Sequence, residues 1–175
     1  ADYQIIALSI ESPRVRESLI TLEDDDGFSV RQIATHVALA KAIVRFDLAK
    51  LLTFHDRVRD ARRFADPEFP DSFPQVRSAL GYDEEIFAEH VSGEMNAALR
   101  EQILDGIDTA SVGFVANARC LTEGVDLPDL DAVAFMGSMR SRIDILQAIG
   151  RALRKPYGKK KTAYVFVPLI IEEGE

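Results

Sequence analysis

Val112-Gly113-Phe114-Val115-Ala116, followed at once by Asn117-Ala118-Arg119-Cys120-Leu121-Thr122-Glu123-Gly124-Val125-Asp126, decides how the rest of the chain is read. The first five residues are apolar without the polar alternation of a strand wetted on one face. They describe a strand covered on both faces, as in a parallel sheet. The polar run begins where that strand must end, and in open parallel sheets ligands bind beyond the carboxyl ends of the strands. The same grammar recurs outward in both directions. Tyr3–Ile10, Leu51–His55, Ile86–Val91, Ala132–Met136 and Ala163–Val167 are further candidate strands. His55-Asp56-Arg57 follows the second strand of the chain and Ser92-Gly93 the third. Three polar clusters therefore fall on one edge of one sheet.

Helical patterns separate the strands. Val30, Ile33, Val37, Ala40 and Val44 recur at 3–4 spacing and predict an amphipathic helix. Val58 to Ala65 predicts a second helix, Met95 to Leu104 a third, and Ser141 to Leu153 a fourth, stopped by Pro156 and Gly158. Asp66–Glu85, with Pro67, Pro70 and Pro74, is expected to be an irregular insertion with one helical turn near Val76–Leu80, and the acidic Leu22–Gly27 a loop. Strand–helix alternation gives an α/β fold: a mostly parallel central sheet of about six strands, flanked by helices on both faces. At 175 residues the expectation is one domain.

Composition narrows the function. No run of eighteen apolar residues occurs, so no membrane span is expected. No basic n-region with an apolar h-region opens the chain, and a first residue other than Met, close to a strand, suggests a piece of a longer protein. The lone Cys120 excludes an internal disulfide and a cysteine-based zinc cluster, and fits a reducing cytoplasm; no metal site is expected. The net charge of −8 is unevenly spread. Between Met139 and Lys161 lie eight basic residues and the single acid Asp144, so this window carries +7 and the remainder −15. Such asymmetry suits an anionic ligand held on an otherwise acidic surface. For Lys159–Lys161 alone, a solvated Lys-rich turn is the simpler reading.

Within that window, Ile143, Leu146, Ile149 and Leu153 share a helix face that would pack on the sheet. Gln147, Arg151 and Arg154 form a second stripe about 110° away, at about 100° per residue. Gly150 lies between the stripes, at roughly 1 kcal/mol less helix propensity than Ala, which suits close approach by backbone or ligand. Two guanidiniums beside an amide present planar donor forks to polyphosphate oxygens. Taken alone, the stripe also fits a solvated face with two surface arginines.

Gln147-Ala148-Ile149-Gly150-Arg151-Ala152-Leu153-Arg154 resembles motif VI of superfamily 2 helicases. Leu121-Thr122-Glu123-Gly124-Val125-Asp126-Leu127-Pro128 resembles their motif V, and one candidate strand separates the two, as in that family. Alone, the second segment would read as a Gly–Asp turn capped by Pro128. Leu51-Leu52-Thr53-Phe54-His55 resembles motif IV, and His90-Val91-Ser92-Gly93-Glu94-Met95, with Arg100, the segment called IVa. The resemblance runs from about Tyr3 to Val167. DEAD-box relatives place His and Arg where this chain has Gln147 and Ala148, and Ala118 stands where many relatives carry Thr. The forms here look more like DNA translocases and restriction- or repair-type helicases.

The resemblance implies a second RecA-like domain, with Arg151 and Arg154 reaching ATP phosphates across a cleft, the latter as arginine finger. It places Gly124, Asp126 and Gln147 near the nucleotide, and His55, Ser92, Gly93, Arg100, Asn117 and Thr122 along nucleic acid, DNA favoured over RNA. A histidine at a strand end is also a common hydrogen-bonded structural residue. No Gly-x-x-x-x-Gly-Lys-[Ser/Thr] loop and no Asp-Glu-x-His or Asp-Glu-Ala-Asp site occurs in the 175 residues. ATP and Mg2+ would therefore be held mainly by a first RecA-like domain, the expected partner. The alternative is a helicase-like module that binds nucleic acid or protein without turnover.

Overall fold

The computed structural model describes residues 3–9, 30–118, 130–137 and 163–169. They form β1 (Tyr3–Ser9), α1 (Val30–Arg45), β2 (Lys50–Phe54), α2 (Val58–Ala65), α3 (Phe73–Ala79), β3 (Phe87–Ser92), α4 (Ala97–Thr109), β4 (Gly113–Ala118), β5 (Ala132–Phe135) and β6 (Ala163–Leu169). The six strands form one sheet in the order β1-β6-β5-β2-β4-β3, and every neighbouring pair is parallel. Among the described residues no helix is long and apolar enough to cross a membrane. The expected Leu22–Gly27 loop and Ser141–Leu153 helix lie outside the described residues, as does Ile10.

Side-chain alternation along the strands splits the core in two. Leu51, Phe114, Ala116, Ala132, Ala134 and Phe166 face one way, and pack with Leu39, Ala40 and Ile43 of α1, Ala61 and Phe64 of α2, and Phe73 of α3. Leu52, Phe54, Val115, Val133, Phe135 and Val165 face the other way, toward Ile103, Leu104 and Ile107 of α4. This is why the strand sequences are apolar at nearly every position. The centre of the first layer is aromatic. Phe64 and Phe73 stack at 5.0 Å, and both meet Phe114 edge-on at 5.1 Å.

The helices differ from expectation in three places. On α1, Ile33 and Ala40 of the expected stripe are buried, with Leu39 and Ile43 beside them, while Val44 is 53% exposed. His36 also occupies a core position, so the buried face is broader than the expected stripe and does not reach Val44. The segment Asp66–Glu85 is no mere excursion. It contains α3, longer and earlier than the expected turn, because Pro74 sits in the first helical turn, where its missing N–H costs nothing. Phe73 then closes the aromatic layer and Val76 is buried beside it. Third, α4 is capped by Asn96, whose Oδ1 accepts from the Leu99 N–H at 2.8 Å, and runs on through Gly106 to Thr109. A Cβ on Gly106 would lie 2.6 Å from the Phe87 ring, so glycine lets the helix backbone settle on that ring.

At the amino edge of the sheet, Asp131 ties β5 to the start of β2. Its Oδ2 accepts from the Ala49 and Lys50 amides, each at 3.0 Å. Asp131→Ala is expected to cost about 1.5–3 kcal/mol, the range for hydrogen bonds to a charged group. Urea unfolding checks this: the midpoint falls with an unchanged m-value.

Candidate functional site

The strand order locates a crevice. The connection leaving β2 crosses over β4 to reach β3, whereas the connection leaving β5 runs the opposite way to β6. Because β2 and β5 are neighbours, their carboxyl ends flank the topological switch point, where ligands of open α/β sheets settle. The residues there are His55-Asp56-Arg57 from the end of β2 and Met136-Gly137 from the end of β5. Next to them lie Asn117 at the end of β4 and Ser92-Gly93 at the end of β3. The edge is stitched by backbone bonds, His55 N–H to the Asn117 carbonyl and Met136 N–H to the Phe54 carbonyl, both 2.9 Å.

The structure thus brings His55, Ser92, Gly93 and Asn117 to one sheet edge, but not onto one surface. Phe54 pairs with Asn117 in register, and Val91 pairs with Asn117 from the other side. Asn117 therefore belongs to the face of the sheet that carries α4. Ser92 is in register with Ala118 and faces the opposite layer, with the His55 ring. The three side chains are also buried, at 0% (Asn117), 2% (Ser92) and 5% (His55) exposure. Gly93 is exposed and Arg100, on the first turn of α4, half-buried. Among the described residues, Gly93 and Arg100 are the expected contacts that meet solvent.

His55 is held as a core residue. Its Nε2 lies 2.9 Å from the Thr53 hydroxyl and its ring packs 4.9 Å from Phe64. Burial, reinforced by His36 nearby, pushes its pKa down to about 3. His36 sits on another side of the same phenyl ring, edge-on at 4.9 Å, and its Nδ1–H donates to the Asp71 carbonyl at 3.0 Å. Burial lowers its pKa to about 4 against the raising effect of that bond. Asp71 in turn takes both of its carboxylate oxygens to Arg63 Nε at 3.2 Å. These groups bind α1, α2 and the approach to α3 together, which gives His55 a structural role independent of any ligand.

Two residues of the crevice escaped the sequence reading. Asp56 was one member of a polar cluster, and Gly137 an unremarked glycine after a strand. They meet: a Cβ on Gly137 would fall 2.6–2.7 Å from all three atoms of the Asp56 carboxylate. The available signal was positional, an acid and a glycine each directly past the end of adjacent strands. Gly124, Asp126, Thr122, Gln147, Arg151 and Arg154 lie outside the described residues. Among the described residues no three His, Cys, Asp or Glu side chains converge on a metal site.

Comparison with known proteins agrees with this architecture. The helicase conserved C-terminal domain pattern matches residues 50–156. The UvrABC system protein B of Kosmotoga olearia is 37% identical over 79 residues, covering 42% of this chain and 12% of that protein. Its counterpart in Campylobacter hominis is 30% identical over 76 residues, covering 41% and 12%. The chain thus spans only about 12% of the length of these curated relatives. Among solved structures, the ATP-dependent Type ISP restriction-modification enzyme LlaBIII bound to DNA superposes with a TM-score of 0.78 at 25% identity. That match covers 99% of this chain and 12% of the enzyme. The E. coli DEAD-box protein SrmB, at 15% identity, TM-score 0.56, and 96% and 78% coverage, shares the fold. A parallel sheet of this order, together with a family pattern that spans more than half the sequence, makes the chain a member of the helicase conserved C-terminal domain family, the second RecA-like domain of superfamily 2 helicases.

Proposed function

We propose that the chain, as a single domain over residues 1–175, is the second motor domain of an ATP-dependent helicase or translocase that acts on DNA. The observation that carries this reading is the likeness across 99% of the chain to an ATP-dependent enzyme solved on DNA. In this reading Arg151 and Arg154 engage the ATP phosphates, with Gly124, Asp126 and Gln147 beside the nucleotide. A first RecA-like domain supplies the phosphate loop and the Mg2+ site, for which these 175 residues have no motif. Gly93 and Arg100 take the exposed part of the nucleic-acid path, with Thr122. His55, Ser92 and Asn117 contribute through the backbone of the sheet edge, since their side chains are buried. Closure on ATP brings the arginines in, and hydrolysis releases them, so the contacts with nucleic acid shift once per cycle.

The test is ATP turnover by the full-length protein with single- and double-stranded DNA and RNA compared. Stimulation by DNA above that by RNA is the expected result. Turnover that no nucleic acid changes, or no turnover beside an intact phosphate loop, would replace the motor with a non-catalytic binding module.

A further inference from the structure

We infer that the outer edge of β3 is a docking edge for a protein partner, which adds an extended lysine- or arginine-bearing segment there as a further strand. β3 ends the strand order and pairs only with β4 among the described residues. Its Phe87 N–H donates to the Val112 carbonyl at 2.9 Å, and Phe87 stands in register with Gly113. Alternate residues of a strand direct their main-chain groups to the same side, so Phe87, Glu89 and Val91 bond to β4. Ala88 and His90 therefore present both N–H and C=O outward, and Ser92 its N–H. The Ser92 carbonyl is taken by the Met95 N–H at 3.2 Å, which closes the edge at that end. Among the described residues no hydrogen bond reaches the outward groups of Ala88 and His90. Such a row of donors and acceptors is the template for strand addition, in which main-chain bonds give affinity and side chains give choice.

The charges around that edge select the occupant. Between Gly81 and Glu94 lie five acids, Asp83, Glu84, Glu85, Glu89 and Glu94, and no lysine or arginine. All five are exposed: three just before the strand, one in its middle and one just after it. The cation that acts on His90 from α2, Arg62, is engaged with Asp66 at 3.8 Å. A second copy of this chain would set the same acids against themselves, and like charges opposed across strands are destabilising. Nucleic acid is repelled for the same reason, its phosphates calling for lysine and arginine. Among the described residues these carboxylates do not converge on a metal site. What fits is the opposite sign on an extended chain, paired across the new strand with Glu89 and with the acids at either end.

The test uses the full-length protein and two short blocked peptides, one alternating lysine with valine and the other glutamate with valine. Fluorescence anisotropy measures binding, and amide hydrogen exchange resolved to single residues locates it. The lysine peptide is expected to bind and to slow exchange at Ala88 and His90, while Glu89 and Val91, already bonded to β4, keep their rates. His90→Pro removes an outward donor, and an edge strand tolerates proline where the N–H faces solvent, so the fold is expected to stay and binding to be lost. Methylating alternate main-chain nitrogens of the lysine peptide is expected to abolish binding to the unmutated protein, whatever His90→Pro does to the fold. Glu84→Lys, Glu85→Lys and Glu89→Lys together are expected to weaken the lysine peptide about tenfold. Failure of the lysine peptide to bind, or equal binding of both peptides, would overturn the inference and leave an edge that its acids merely guard. Binding that survives methylation, or leaves exchange at Ala88 and His90 unchanged, would overturn strand addition. Self-association lost in His90→Pro, seen by sedimentation, would overturn the choice of occupant.

Discussion

On the proposed function, Arg154→Ala in the full-length protein is expected to lower nucleic-acid-stimulated ATP turnover by about 10³–10⁵-fold, the range an arginine finger commands. The magnitude follows from the chemistry of phosphoryl transfer. The protein forms no bond to the phosphoryl group. It positions the groups and neutralises the charge that spreads over the equatorial oxygens and the leaving oxygen. A guanidinium does this with a rigid planar fork that never loses its proton, whereas an ammonium is a compact, strongly hydrated point charge. Arg154→Lys is therefore expected to recover little. Nucleic-acid affinity without nucleotide is expected to stay near the wild-type value, because the role proposed for the arginine is toward the phosphates of ATP. A steady-state ATPase assay paired with a binding titration checks both halves. Unchanged turnover in Arg154→Ala would mean that the match to motif VI is coincidental.

The second large effect is a loss of stability in mild acid, from His36 and His55. Both rings are buried around Phe64 and are neutral in the fold, with pKa values of about 4 and about 3 against an ordinary 6.5. A histidine depressed in this way binds its proton in the unfolded chain first. The stability it contributes is whole above about pH 6.5 and is lost as pH falls from there toward the folded pKa. Integrated from pH 7 to pH 5, each ring accounts for about 2 kcal/mol, and the pair for about 4 kcal/mol. Asp71, whose carboxyl burial raises, works in the opposite sense at still lower pH, with Arg63 opposing that rise. Native stabilities are commonly about 5–15 kcal/mol, so the pair alone can remove a large part of the total. Urea unfolding at pH 7 and pH 5 measures the loss, and His36→Asn is expected to halve it. Equal midpoints at the two pH values would show that the rings are not held neutral.

Much of this architecture was legible in the residues. A strand buried on both faces is apolar over most of its length, and all six candidate strands were found by that rule, with ends displaced by at most two residues; the edge strand β3, with Glu89 and His90, fits it least. Ends depend on ladder bonds such as Met136 N–H to the Phe54 carbonyl, which composition does not encode. The carboxyl edge was legible because polar residues cluster past strand ends. Which face each one takes was not: Asn117 and Ser92 part to opposite layers because of register, a relation between strands distant in sequence. Two errors share one cause, residue type taken as role. Pro74 was treated as a breaker when it starts a helix, and the α1 stripe was drawn through apolar residues only, passing over the buried His36. The Asp56–Gly137 contact was invisible because 80 residues separate its partners, and only the sheet order brings them together.

The most direct test compares ATP hydrolysis by the isolated 175-residue chain with that of the full-length protein, each with saturating DNA. If the chain is half of a motor, the full-length protein turns over ATP and the isolated chain is indistinguishable from buffer. Hydrolysis by the isolated chain at the full-length rate would contradict that division of labour.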